Sequence, residues 1–255
     1  MKENEIEYSL VKTLKESELS SILEEYSELT IKSLFENELV DKIPVIKTIR
    51  AIYQTSKSIQ NYIFTKKILK FMFNVKDISI LDRQKMLDNL NEKDTKEIGE
   101  TIILSLEKSD DYKKCTLIAN AFQGLVEEKI NYSTFKRLLW SIQSINLQVL
   151  DELLNIYDKD DSVYDRLKSG NYYLPQSEEL QQLALSGLLS IHFKHSQDRY
   201  NSGALGGYSI NYLGEIFCQI CIKKQDSEYS YKGNYVYDDN LNRIWELEKI
   251  EIKPE

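Results

Sequence analysis

The sequence predicts a mainly α-helical protein, a helical bundle followed by a small winged-helix-like α+β module. Three observations carry that reading. Breakers are scarce, with 9 Gly and 3 Pro in 255 residues, which favours long helices over a sandwich of many short strands. Apolar residues recur at helical spacing almost without interruption from residue 5 to 157. The pattern then breaks at polar stretches 158–161 and 169–175, and short strand-like and glycine-bearing segments follow. The expected organisation is 1–168 as an all-helical bundle, 169–222 as the winged-helix-like module and 223–255 as a hairpin or tail.

The elements follow in order. Leu19, Ile22, Leu23 and Tyr26 fall on one helix face, with Ser17 or Ser20 as the cap. Pro44 marks a break or a helix start. Residues 45–75 predict one long helix with Ile49, Ile52, Ile59, Tyr62 and Ile63 as its buried stripe, extended by Leu69, Met72 and Phe73. A helix after Ser79 should bury Ile80, Leu81, Met86, Leu87 and Leu90, and 98–106 gives another. Residues 112–128 predict a helix with Cys115, Ile118, Ala119, Phe122, Leu125 and Val126 inward. Ser133 should cap 135–145, and 147–157 completes the bundle.

In the second part, 177–189 predicts a short helix, apolar at Leu180, Leu183, Ala184, Leu188 and Leu189. Ile191-His192-Phe193 and Tyr208-Ser209-Ile210 predict paired strands, with Gly203, Gly206 and Gly207 as the turn, and 213–222 a helix. Helix, hairpin and helix in that order suggest the second half of a winged helix. Tyr229, Tyr231, Tyr235 and Tyr237 around Lys232-Gly233-Asn234 suggest a hairpin turning there, while 243–252 fits either helix or edge strand.

Charge is unevenly placed. The net charge is −8, which argues against broad nucleic-acid affinity. Residues 1–41 carry −7, 42–76 carry +8 with no acidic residue, and 77–255 carry −9. Lys47, Arg50, Lys57, Lys66, Lys67 and Lys70 of this basic helix form the candidate contact face. Three uses stay open: lysines answering the acidic residues of 1–41, contact with a protein or an anionic membrane, and, least in keeping with the charge, phosphate binding. The opening residues hold no signal-peptide core, and no apolar run reaches the roughly 18 residues that a membrane span needs. The expected location is the cytoplasm, with any lipid contact peripheral.

No catalytic constellation is legible. His192 and His195 with Cys218 and Cys221 could supply four zinc ligands. Residues three apart on a strand diverge, however, and the cysteines fall mid-helix rather than on a knuckle or at a helix start. Asp158-Lys159-Asp160-Asp161-Ser162 resembles the start of a calcium loop, yet Val163 and Ser169 occupy the positions that need Gly and Glu. Gly203, Gly206 and Gly207 match no phosphate-binding fingerprint. Glu127–Glu128 and Glu178–Glu179 are adjacent helix positions that diverge into solvent. No enzyme, metal or cofactor is therefore expected. A protein partner or self-association fits best, and the alternative is a DNA-binding regulator using the C-terminal module. Glu178 and Glu179 at its candidate reading helix oppose phosphate.

Two stretches resemble a known type. Leu117-Ile118-Ala119-Asn120-Ala121-Phe122, followed by Phe135 and Leu138-Leu139, is similar to the helical core of bacterial proteins assigned to phage defence. Gly187-Leu188-Leu189, then Tyr208-Ser209-Ile210-Asn211-Tyr212-Leu213-Gly214-Glu215-Ile216-Phe217 and Cys221, resembles their ending. The type is the abortive-infection alpha (Abi-alpha) domain. This sequence lacks its usual Trp before Ala-Asn and carries Ile210-Asn211 where Leu-Thr is common. The resemblance implies a defence or phage-related setting and supplies no catalytic residues.

Overall fold

The computed structural model describes residues 3–16, 19, 43–55, 59–158, 177–195, 204–222, 229–237 and 243–251. It is mainly helical, with ten α-helices and two small antiparallel two-stranded sheets among the described residues. The chain divides into two compact units, Met1–Asn146 and Leu147–Glu255. The expected boundary near residue 168 lies outside the described residues, as do Ser17, Ser20, Ile22, Leu23 and Tyr26.

The first unit contains α1 (Glu3–Glu16), α2 (Pro44–Thr55), α3 (Ile59–Val75), α4 (Ile80–Asn89), α5 (Glu92–Lys108), α6 (Tyr112–Val126) and α7 (Tyr132–Ser144). Short polar side chains start four of them. The Ser79 hydroxyl accepts from the Asp82 amide at 3.1 Å, Asn91 from Asp94 at 2.9 Å, Asp111 from Lys113 at 2.7 Å and Asn131 from Thr134 at 2.9 Å. Each satisfies a donor that the first helical turn leaves unpaired. The cap of α7 is thus Asn131, and the expected cap Ser133 sits exposed in the first turn.

Helix α6 is the centre of the unit and packs against α3, α4, α5 and α7. All six of its expected core residues are buried. Burial extends to Leu117, Asn120 and Ala121, so the helix is enclosed on nearly every side. Phe122 meets Phe71 edge-on at 5.9 Å and Phe135 at 6.5 Å, joining α3, α6 and α7 through aromatic contacts worth about 1 kcal/mol each beyond area burial.

Helix α4 corrects an expectation. Met86 and Leu87 are buried as expected, but Leu81 is exposed and Ile80 and Leu90 are half-buried. The large buried side chain is Arg83. Its Nε donates to the Ile78 carbonyl at 3.1 Å and its Nη1 to the Leu14 carbonyl at 2.7 Å. Leu14 O belongs to the last turn of α1, where carbonyls lack helical partners, so the guanidinium ties α4 to the end of α1. Gln84 donates to the adjacent Lys15 carbonyl at 2.9 Å.

The second unit begins with a 3-10 turn, Leu147–Val149, and α8 (Leu150–Asp158). Helix α9 (Glu178–Leu185) is capped by Ser177, and it ends before the expected residue 189. Gly187 takes φ 78°, the Gly187 amide donates to the Ala184 carbonyl at 3.0 Å and the Leu188 amide to the Leu183 carbonyl at 3.1 Å. This paired reversal satisfies the final carbonyls and turns the chain so that the sheet begins at Leu189.

Strand β1 (Leu189–His195) pairs with β2 (Ala204–Ile210), from Leu189↔Ile210 to His195↔Ala204. Gly206 and Gly207, expected in a turn, stand inside β2 opposite Phe193 and His192; Gly203 lies outside the described residues. Asn211 then caps α10 (Tyr212–Ile216), accepting from the Gly214 amide and donating to the Gly187 carbonyl, each at 3.0 Å. Helix α10 runs into a π-helical turn, Phe217–Cys221. The last sheet pairs β3 (Tyr229–Tyr237) with β4 (Arg243–Glu251). The expected turn at Lys232-Gly233-Asn234 is instead mid-strand, opposite Glu248, Leu247 and Glu246. The two-residue alternation of tyrosines continues through Gly233, so extended backbone continues with it.

Candidate contact face

The described part of the basic segment is two helices, α2 and α3, with Lys57 among the undescribed residues between them. Helix α3 is anchored by Thr65, Ile68, Phe71, Met72 and Val75, all buried. At 100° per residue these five span one arc, and Ile59, Tyr62, Ile63, Lys66, Lys70 and Phe73 span the opposite one.

This reverses the expected stripe. Ile49 on α2 is buried and Ile52 half-buried, but Ile59 is 78% exposed, Ile63 41%, Tyr62 37% and Phe73 37%. Met72 alone of the expected extension is buried; Leu69 is half-buried. Both arcs of α3 are apolar enough to look like a core, and the inner one has the two large residues, Phe71 and Met72, that fit against α6. The outer arc therefore sets four large apolar side chains and two lysines in water, with no acidic residue anywhere in 42–76.

The cations of the candidate face separate into classes. Lys47, Lys66 and Lys70 are exposed, and Arg50 on α2 is half-buried. Lys66 Nζ sits 4.9 Å from the Tyr62 ring centre, and Lys76 Nζ 4.5 Å from that of Phe73, in the range of a cation over an aromatic face. Lys67 is used internally. Its amine donates to the Glu107 carbonyl at 2.7 Å, in the last turn of α5, where the helix dipole favours a cation.

A second cation missed by the sequence reading is Lys114, almost fully buried. It donates to the Gln143 carbonyl at 3.1 Å and pairs with Asp110 at 3.0 Å. That hydrogen bond holds the Asp110 carboxyl below its ordinary range. Position 114 shares a helical face with the core residues Ile118 and Ala121 of α6, and the Gln143 carbonyl and the Asp110 carboxylate give its ammonium partners there.

The chemistry-bearing residues form no catalytic arrangement among those described. Cys218 and Cys221 lie in the π-helical turn, a refinement of the expected mid-helix position, and both are buried. Burial pushes the Cys221 thiol up, reinforced by neighbouring Cys218. Burial also raises Cys115 to about 11, partly offset by the Lys67 charge. Protonated buried thiols are poor nucleophiles and poor metal ligands. His192 and His195 stand three apart in β1. No three potential metal ligands come together among the described residues. No described helix is long and apolar enough to cross a membrane. No protein-family model, curated protein or solved structure matches the chain.

Proposed function

We propose that this chain acts by contact rather than by catalysis, as a bacterial or phage-encoded interaction protein in phage defence or counter-defence. In this reading the working surface is the outward arc of α3, engaging a protein or a membrane surface. The observation that carries it is the combined exposure of Ile59, Tyr62, Ile63 and Phe73 beside Lys66 and Lys70. Four large apolar side chains on one helix face are a patch that an isolated monomer rarely keeps without use.

The resemblance to the Abi-alpha type supplies the defence setting. Its carrying residues Leu117, Ile118, Ala119, Ala121, Phe122, Phe135, Leu138 and Leu139 are core residues, so the likeness speaks for architecture rather than for a site. The order α9, β1, β2, α10 supports a winged-helix-like module, and its α9 leaves Leu185 exposed beside Glu178, Glu179 and Gln181. An apolar and acidic surface suits a protein neighbour better than a phosphate backbone. The protein would work in the cytoplasm, at the membrane periphery when its contact is lipid.

The test is phage plating on cells expressing the chain. Ile59→Asp with Ile63→Asp should abolish any change in plating efficiency while the protein stays soluble and helical. Full activity of that variant would remove α3 from the reading.

A further inference from the structure

Resting on the contact reading of the α3 face, we propose that its occupant is an anionic lipid surface. The order of side chains along the arc is the first reason. Ile59, Tyr62 and Ile63 fill the first turn, Lys66 and Lys70 the next two, and Phe73 the last, over about 21 Å of helix at 1.5 Å per residue, with Lys76 just past the helix stacked on Phe73. An apolar turn, a cationic middle and an aromatic end match a helix lying in the headgroup plane. There apolar tips reach the acyl boundary and lysine stems carry the charge back to phosphate depth.

The kind of cation is the second reason. Protein interfaces enrich Arg and deplete Lys, whereas every cation of α3 is a lysine. Lysines near an anionic surface add attraction irrespective of geometry, and an ammonium stacked on Tyr62 or Phe73 stands beside the ring, the amphipathic group favoured at that depth. The third reason is rigidity. The inner arc is locked into the core, so the face is presented without the ordering cost of folding on binding. The rest of the chain is acidic, so attraction to anionic vesicles would come from this segment rather than from net charge.

The experiment is flotation of the full chain with vesicles of phosphatidylcholine containing about 30 mol % phosphatidylglycerol, against phosphatidylcholine alone, near 50 and near 500 mM salt. The wild type should float with the anionic vesicles at low salt and be released at high salt. Lys66→Gln with Lys70→Gln should weaken binding about thirty-fold, which converts to about 2 kcal/mol. Ile59→Asn with Ile63→Asn should weaken it at low salt, where the wild type floats, and Lys113→Gln, an exposed lysine on α6, should leave it unchanged. All four side chains to be replaced on α3 are exposed, so the thermal transition should hold.

No flotation of the wild type, equal flotation with neutral vesicles, or undiminished binding of Lys66→Gln/Lys70→Gln would each overturn the proposal. Loss of phage phenotype in Ile59→Asp/Ile63→Asp without vesicle binding by the wild type would overturn the lipid occupant and leave a protein partner for the same face. Vesicle binding without a phage phenotype would instead remove the defence setting and keep the lipid occupant.

Discussion

Replacing Gly99 with Ala sets two effects against each other. Gly99 lies inside α5, where Ala is intrinsically favoured by about 1 kcal/mol. Propensity alone therefore predicts a more stable protein. Packing predicts the reverse. A Cβ at position 99 would stand 2.7 Å from the Glu7 carbonyl oxygen and 2.8 Å from Val11 Cγ2. The first neighbour is backbone and cannot swing aside, so α1 would have to retreat from α5. Leu10 and Leu14 of α1 are wholly buried, so a retreat of α1 would loosen the core around them. Overpacking of this kind costs about 1–3 kcal/mol. Set against the propensity gain, the variant should be about 1 kcal/mol less stable. Urea unfolding followed by circular dichroism measures it, with the midpoint lowered and the slope unchanged. Adding Val11→Ala should not rescue the variant, because the carbonyl contact remains. An Ala variant as stable as the wild type would refute the close crossing of α1 and α5.

Glu128 follows the last turn of α6 at φ 58°, a left-handed conformation that favours glycine, and its amide donates to the Leu125 carbonyl at 3.2 Å. Glu128→Gly should therefore stabilise by about 0.5–1 kcal/mol, since the Lys85 pair it removes is solvent-exposed and counts for little; a lower urea midpoint would contradict it. Arg83→Met should destabilise by about 2–4 kcal/mol, because the buried Leu14 and Ile78 carbonyls lose their donor, and a loss under 1 kcal/mol would show those carbonyls satisfied otherwise. Stability should fall between about pH 9 and about pH 11. Cys115 is held protonated in the fold, so its raised value contributes fully below the unfolded thiol range and is lost as pH rises through about 11. Cys115→Ala should flatten that fall in thermal scans, and an unchanged slope would remove Cys115 as its source.

Helix existence was legible because most helices have one apolar face. In α6 the period placed Cys115, Ile118, Ala119, Phe122, Leu125 and Val126 correctly, and in α9 it placed Leu180 and Leu183. What failed was the choice between two apolar arcs. On α3, Ile59, Tyr62 and Ile63 keep helical spacing as well as Ile68, Phe71 and Met72 do, and spacing alone carries no sign for inward. On α4 the same ambiguity set Leu81 inside, when the inward residue is an arginine whose partners lie elsewhere in the chain, one of them on α1. Gly206 and Gly207 looked like a turn because glycine so often makes one, yet here two glycines continue a strand. Glu128 hid the end of α6, since a left-handed reversal is legible from sequence only when glycine occupies it.

The candidate face was half legible for a related reason. Eight cations without an acid are visible in 42–76, but charge does not say which cations a fold consumes. Lys67 is spent on the carbonyl that ends α5, as Lys114 is on one near the end of α7. Helix C-termini bring together unpaired carbonyls and a negative dipole, so a bundle of many short helices offers many such sinks for lysine. Only a lysine whose stem points away from every such end remains for a partner, which is where Lys66 and Lys70 stand, on either side of the arc's centre. Reversing Lys66, Lys67 and Lys70 together would therefore mix the loss of an α5 cap with the loss of a contact. Restricting the change to Lys66 and Lys70 leaves the Lys67–Glu107 bond intact, so a change in binding would report the surface and not the fold.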